Sequence, residues 1–168
     1  MKTLIYMAMS IDWYIADRNN KTPWGDSEWE NYKEKVLEAK NIVIWYNTYL
    51  EMLKSDEFLK IWNPKVFVFT SKNIEDYWNF IFVNNYKNFE LLLKKYNFKT
   101  ILIAWWKTLN SYFIKNNLVD EMILDIEPFI FWNGVKLFDD ILENKEVILL
   151  KQKIYWKNSI QLHFKFKK

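Results

Sequence analysis

The chain contains no cysteine, one arginine (Arg18), one histidine (His163) and, in 168 residues, only two glycines, Gly25 and Gly134. Without cysteine there are no disulfides, no thiolate metal sites and no cysteine nucleophile. Long apolar runs are also missing. No stretch approaches a membrane span, and the apolar segment 3–11 is cut off by Asp12 without a signal-peptide cleavage pattern, so a cytoplasmic location is expected. Charge of one sign is slight: the net +3 rests almost wholly on lysine. Aromatics make up 20% of the chain, yet no basic cluster or aromatic motif accompanies them, which disfavours a single-strand nucleic-acid binder. The shortage of glycine matters most. Proteins average about 7% glycine, because tight turns and close backbone approaches need a residue without Cβ.

What stands in place of glycine is tryptophan. Of the ten tryptophans, seven (Trp13, Trp45, Trp62, Trp105, Trp106, Trp132 and Trp156) close or follow apolar, strand-like runs beside Asp, Asn, Lys or Pro. Such junctions favour glycine and penalise bulk. Trp24 and Trp29 fit as tryptophans, and Trp78 suits either group. Three accounts exist: inactivating substitutions, compensated substitutions, or one codon meaning glycine decoded as tryptophan. Seven independent changes of one kind at turn positions favour the third. The abundance of Lys, Asn, Ile, Phe, Tyr and Met points to an AT-rich genome, in which a reassigned stop codon produces this pattern.

A content of 51% hydrophobic and 27% charged residues describes a soluble globular chain, and no linker or repeat divides it, so residues 1–168 are expected to form one domain. Strand patterns cover 3–9, 41–44, 65–70, 79–83, 100–104, 121–127, 147–155 and 159–167. Helical patterns cover 27–39, capped by Ser27, and 49–53, 89–96 and 108–116. In the last strand Ile160, Leu162, Phe164 and Phe166 alternate with Gln161, His163, Lys165 and Lys167. Strands alternating with helices predict an α/β fold with a mainly parallel sheet and an antiparallel edge at the C-terminal end. Ligands of such sheets bind at the carboxyl ends of strands, and Trp13, Trp45, Trp105-Trp106 and Trp132 all follow strands.

Five segments, in order, carry a family resemblance. Met7-Ala8-Met9-Ser10-Ile11-Asp12-Trp13-Tyr14-Ile15-Ala16-Asp17 resembles "AMSLDGYIAD", and Ile44-Trp45-Tyr46-Asn47-Thr48-Tyr49 resembles "MGRKTYE". Ile103-Ala104-Trp105-Trp106-Lys107 resembles "VGGGE", the segment from Ile126 to Gly134 resembles "I.PVLLGDG", and Gln161-Leu162-His163-Phe164 fits the close. The chain thus resembles the dihydrofolate reductase-like family, in particular the bacterial branch related to the riboflavin-biosynthesis reductase domain. The resemblance implies a central, mostly parallel sheet of about eight strands flanked by about four helices, and an NADPH-dependent oxidoreductase.

Residue by residue, the resemblance implies that Ala8 and Ile15 line the nicotinamide pocket. Trp45, Tyr46 and Thr48 would belong to the cofactor site, with Thr48 meeting the pyrophosphate, and Thr70, Ser71 and Lys72 the adenosine side. Ala104, Trp105, Trp106, Lys107, Thr108 and Leu109 would wrap the diphosphate at a helix N-terminus, with a cis bond between residues 105 and 106. Glu28, after the pair Pro23-Trp24, corresponds to the active-site acid, with Ile5, Ala8, Trp24, Tyr32 and Asp125 around the substrate. The simpler role for Glu28 is a charge favouring a helix N-terminus. Tyr46 replaces the arginine expected at a 2′-phosphate, leaving Lys72 and Lys107 as substitutes, and Pro64 falls near the arginine expected at a folate tail.

The expected reaction is hydride transfer to a pterin of the dihydrofolate type. The alternatives are a ribosylamino-pyrimidine of the riboflavin pathway, or a non-enzymatic nucleic-acid or partner-binding use of the fold. The expected partner is a small heterocyclic molecule; a membrane is not expected, nucleic acid is disfavoured and a homodimer stays open. No metal is expected: Asp120, Glu121, Asp139 and Asp140 read as loop and strand-end charges. His163 reads as a solvated residue on an edge strand, without an acid–base partner. Read literally, the tryptophans fill the cofactor site with indoles and leave the protein inactive.

Overall fold

The computed structural model describes residues 1–139, 143–155 and 158–167; Asp140, Trp156 and the side chain of Ser27 lie outside the described part. In chain order the elements are β1 (Lys2–Ser10), β2 (Tyr14–Asp17), α1 (Asp26–Ala39), β3 (Asn41–Trp45), α2 (Tyr46–Lys54), α3 (Glu57–Lys60), β4 (Lys65–Phe69) and β5 (Phe80–Val83). There follow α4 (Tyr86–Leu93), β6 (Thr100–Ala104), α5 (Lys107–Lys115), β7 (Glu121–Glu127), β8 (Gly134–Lys136), β9 (Val147–Tyr155) and β10 (Ser159–Phe166). Eight strands form one sheet in the order β5-β4-β3-β6-β1-β7-β10-β9, and β2 pairs with β8 in a second sheet. The pairs from β5 to β7 are parallel; β10 is antiparallel to both β7 and β9. The α/β class, the mainly parallel sheet and its antiparallel edge therefore stand as expected. The helices number five rather than four among the described residues, because α3 is a single turn, too short for a periodic pattern.

Alternation along the central strand β1 divides the core in two. Leu4 and Tyr6 face Tyr32 and Val36 of α1, Tyr49 and Met52 of α2 and Phe58 of α3. Ile5, Met7 and Met9 face Phe89 and Leu93 of α4 and Leu109 and Phe113 of α5. Each large apolar side chain fully withdrawn from water contributes about 1.5–3 kcal/mol, so both faces hold the sheet between helices. α1 ends at Lys40, whose left-handed backbone (φ 60°) lets its N–H return to the carbonyl of Val36.

The turns bear out the glycine pattern at the level of dihedral angles. Trp13 (φ 73°), Trp62 (59°), Trp78 (54°), Trp105 (74°) and Trp132 (61°) all sit in the left-handed region. That region costs an L-residue about 1–2 kcal/mol and is an outlier for a bulky side chain. Trp78, ambiguous in sequence, thus joins the first group. Trp45 (φ −85°) and Trp106 (φ −157°) do not, since both angles suit any residue. The peptide bond between Trp105 and Trp106 is trans, where the resemblance implied cis. At Gly134 the demand is spatial: a Cβ there would lie 2.2 Å from the carbonyl oxygen of Ala16, across the β2–β8 pair.

Candidate active site

Parallel pairing of β1 and β7 sets Tyr6 beside Ile123, Ala8 beside Asp125 and Ser10 beside Glu127. These residues face α1, which brings Glu28, Asn31 and Tyr32 to the same side of the sheet; Asp125 and Glu127 are buried, and Glu28 is only 5% exposed. Three buried carboxyl groups thus lie close enough on one side of the sheet to feel one another's charge. The Tyr6 hydroxyl donates to Asp125, as do Gln161 Nε2 at 2.8 Å and Asn31 Nδ2 at 3.5 Å. Glu127 accepts from the Tyr155 hydroxyl at 2.7 Å and from Ser159 Oγ at 2.9 Å. Every one of these donors is neutral.

The electrostatics follow from that arrangement. Burial, then the charges of Asp125 and Glu127, push the Glu28 carboxyl up to about 8, so at neutral pH it is mostly the uncharged acid. Burial also raises Asp125, outweighing the hydrogen bonds that favour its carboxylate. The Tyr6 and Tyr155 hydroxyls are raised by burial first and by Asp125 next, so both stay protonated donors. Tyr32 is raised by burial, then Glu57 and Glu28, and its buried hydroxyl oxygen has no hydrogen-bond partner among the described residues. A charge serving only the N-terminus of α1 would stay ionised and exposed; Glu28 is neither.

The carboxyl ends of β3, β4 and β6 carry a second group of residues. Thr48 lies in the first turn of α2, buried, its Oγ1 without a hydrogen-bond partner among the described residues. Neither α2 nor α5 has a side chain bonded at its N-cap, which leaves first-turn N–H groups open to an anion. Lys72 Nζ stands 4.5 Å from the ring centre of Tyr46, and the Lys72 N–H donates to Thr70 Oγ1 at 3.1 Å. A cavity of about 330 Å³ opens there, lined by Lys72, Asn84 and Lys95 among others. Lys107 is held by Asp139 at 3.1 Å. The indole of Trp105 lies 5.0 Å from Tyr32 and 5.8 Å from Trp29 between ring centres, over the α1 side, while Trp106 packs on the α4–α5 core. The loop after β1 is tied down by Asp12, which accepts from Ser10 Oγ at 2.7 Å and from the N–H groups of Phe131 at 3.1 Å and Trp132 at 2.8 Å.

No family model matches the chain. An uncharacterized Bacillus subtilis (strain 168) protein, YwjB, is 26% identical to it over 170 residues, 97% of each chain. A Shewanella sp. PV-4 protein ascribed to riboflavin biosynthesis superposes over 100% of both chains with a TM-score of 0.78 and 22% identity. Dihydrofolate reductase from Enterococcus faecalis, solved with NADP(H), superposes over 99% of this chain and 97% of its own, with a TM-score of 0.74 and 14% identity. The chain has the dihydrofolate reductase-like fold.

Within the dihydrofolate reductase-like fold the expected substrate residues Glu28, Ala8, Tyr32 and Asp125 come together under α1. Ile5 does not: it faces the α4–α5 core on the opposite side of the sheet, since strand neighbours alternate, and Tyr6 takes the inward place. Ile15, on β2, packs into that same α4–α5 core. Trp24 packs on Phe131 and Phe129, with ring centres 5.5 and 5.9 Å away. On the cofactor side Ala104 and Leu109 are buried, Trp45 is half-buried, and Ser71 and Thr108 are exposed. His163 differs from its sequence reading. β10 is an inner strand, the edge being β9, and His163 Nε2 meets Glu121 Oε2 at 2.7 Å, beside Lys2 at 2.8 Å. Tyr6, Glu127, Tyr155 and Ser159 had not been singled out. Alternation places Asp125 and Glu127 on one face of β7, which was the available clue. Among the described residues no group of three His, Cys, Asp or Glu side chains could hold a metal ion, and no helix is long and apolar enough to cross a membrane.

Proposed function

We propose that this protein is an NADPH-dependent reductase that delivers hydride to a conjugated C=N bond of a pterin of the dihydrofolate type, with Glu28 as the acid beside the acceptor. The observation that carries the reading is Glu28 itself, buried at 5% exposure and held up to about 8. A neutral carboxylic acid at pH 7 can hold a proton for an atom that gains an electron pair. Asp125, fixed by Tyr6 and Gln161, offers an acceptor for the amino and ring N–H edge of a heterocycle.

The residues present fit the cofactor. The orphaned Oγ1 of Thr48 and the uncapped first turns of α2 and α5 suit phosphate oxygens, and Lys72 on the Tyr46 ring supplies the cation that a 2′-phosphate needs. NADPH, when bound, supplies the hydride. Trp105 rests on Tyr32 and Trp29 of α1, and Trp106 caps α5 at the turn that would wrap the diphosphate. The test therefore uses the full chain carrying Trp105→Gly and Trp106→Gly. NADPH binding is read by calorimetry, and NADPH oxidation with dihydrofolate and, separately, with the ribosylamino-pyrimidine. Binding with turnover of dihydrofolate is expected. Turnover of the pyrimidine alone moves the assignment to that substrate, a reading favoured by the similarity to the Shewanella protein. Absence of NADPH binding at millimolar concentration removes the proposal.

A further inference from the structure

We infer that the cleft between α1 and the strands β10 and β9, at the amino end of the parallel strands, binds a small phosphate-bearing anion and is separate from the candidate active site. The register sets Lys151 beside His163 and Lys153 beside Gln161. His163 and Gln161 stand in turn beside Ile123 and Asp125, on the side of the sheet that α1 covers. α1 lies over β3 and β6, so its flank and the last two strands leave a cleft between them. A cavity of about 160 Å³ occupies it, lined by Lys2, Lys35, Glu38, Lys151, Lys153 and His163 among others. Thr100 also lines it, and Lys2 and Thr100 open β1 and β6. They lie at the opposite end of those strands from the first turn of α5, where cofactor phosphate is proposed to bind.

The charge around this cavity is unbalanced. Glu38 is held by Lys35 at 2.8 Å, and Glu121 by Lys2 at 2.8 Å and His163 at 2.7 Å. Lys151 and Lys153 have no carboxylate partner among the described residues. Two positions along a strand span about 7 Å, so these ammonium groups repel each other unless an anion sits between them. The carbonyl end of α1 opposes an anion only weakly. Its Val36 carbonyl accepts from the Lys40 N–H at 2.7 Å, and its Ala39 carbonyl from Asn41 Nδ2 at 2.7 Å. Lys35 and His163 are drawn in, their side chains 23% and 25% exposed, and contacts to an anion strengthen where water is partly excluded. Size and charge then narrow the ligand. Drug-sized molecules fill pockets of about 300–1,000 Å³. A cavity of about 160 Å³ suits a phosphate group with a short tail rather than a nucleotide. A phosphate monoester brings about −1.5 to −2 charges and three strong acceptor oxygens, a closer match to two free lysines than a single carboxylate.

Calorimetric titration of the full chain with inorganic phosphate and with glycerol phosphate, at fixed ionic strength, tests this. It is run in parallel on the chain with glycine at residues 13, 62, 78 and 132, none of which lines the cavity. Saturable binding in the millimolar range or tighter is expected; the tighter of the two probes tells a free ion from an ester, and either upholds the site. Lys151→Gln with Lys153→Gln should weaken binding by about tenfold or more, while the melting temperature holds because both side chains are exposed. Lys94→Gln with Lys115→Gln removes the same charge from α4 and α5, on the other side of the sheet, and should leave the affinity unchanged. Saturating NADPH should leave it unchanged as well. No binding at tens of millimolar phosphate in whichever chain folds overturns the inference. So does affinity that survives the first pair of changes, falls equally with the second pair, or is lost to competition with NADPH, which would place the anion in the cofactor turns.

Discussion

Replacing Trp13, Trp62, Trp78 and Trp132 together by glycine should stabilise the fold. Each residue holds φ between 54° and 73°, which costs an L-residue about 1–2 kcal/mol. Glycine returns about 0.5–1 kcal/mol of that through the greater freedom of the unfolded chain. Little packing is lost, because all four side chains are more than half exposed. The main contacts are Lys33 Nζ at 5.9 Å over the Trp62 ring and Phe80 at 5.8 Å from Trp78. The net gain is about 0.5–1 kcal/mol per site, or about 2–4 kcal/mol for four sites far enough apart to add. For a chain of this size that raises the melting temperature by about 10 °C. Differential scanning calorimetry reads it directly. Trp24→Gly is the control: Trp24 lacks a positive φ and packs on Phe129 and Phe131, so its loss should lower the melting temperature. If the fourfold variant melts at or below the parent, the argument from backbone strain is wrong. Trp105 is held apart, because its indole packs on Tyr32 and its removal trades strain for a cavity.

Glu28→Gln should flatten the pH dependence of stability. The folded carboxyl sits near 8 against an ordinary 4.5, so its favourable contribution is complete below 4.5 and disappears as the pH climbs to 8. Urea titrations across that window should show stability falling more steeply in the parent than in the variant, where the raised Asp125 still titrates, and equal slopes would sink the assignment. Gly134→Ala places a Cβ 2.2 Å from the Ala16 carbonyl oxygen, so β2 and β8 must part, and a loss of about 1–3 kcal/mol should appear on thermal unfolding. Asp12 works in the opposite pH direction. Burial alone would raise it, but the Ser10 hydroxyl and the N–H groups of Phe131 and Trp132 hold it below its ordinary value. Its contribution is present above that value and lost as the pH falls, and Asp12→Ala should cost about 1 kcal/mol by chemical denaturation while speeding hydrogen exchange at residues 131 and 132.

Strands β1, β3, β4, β6 and β7 were legible because burial on both faces writes them as near-continuous apolar runs. β2, β8 and α3 were not, having three or four residues each and no room for a period. In the candidate site, Glu28 and Asp125 could be named from motif resemblance. Their partners could not, since Tyr6 and Asp125 are 119 residues apart and meet only through β1–β7 pairing. The assignment of Ile5 was avoidable: Ala8 and Ile5 differ by three positions and cannot share a face of one strand. The partner of His163 was hidden for a different reason, because it depends on which of the last two strands lies inside.

The way Tyr155, Ser159 and Gln161 close the pocket constrains the order of assembly. Asp125 and Glu127 belong to a strand that docks in parallel beside β1, but both donors of Glu127, and Gln161 among those of Asp125, arrive with the last two strands. A nascent chain that has emerged only as far as β8 already has Asp125 and Glu127 and none of these three donors. Burying Glu127 with neither donor, and Asp125 with Tyr6 and Asn31 alone, is costly, so the central sheet has reason to stay loosely packed until the C-terminal hairpin arrives. That makes closure of the hairpin a late, long-range event of the kind that slows folding. It also means that a chain cut before β9 would lose more than an edge: its interior would hold acid groups that water must enter to solvate.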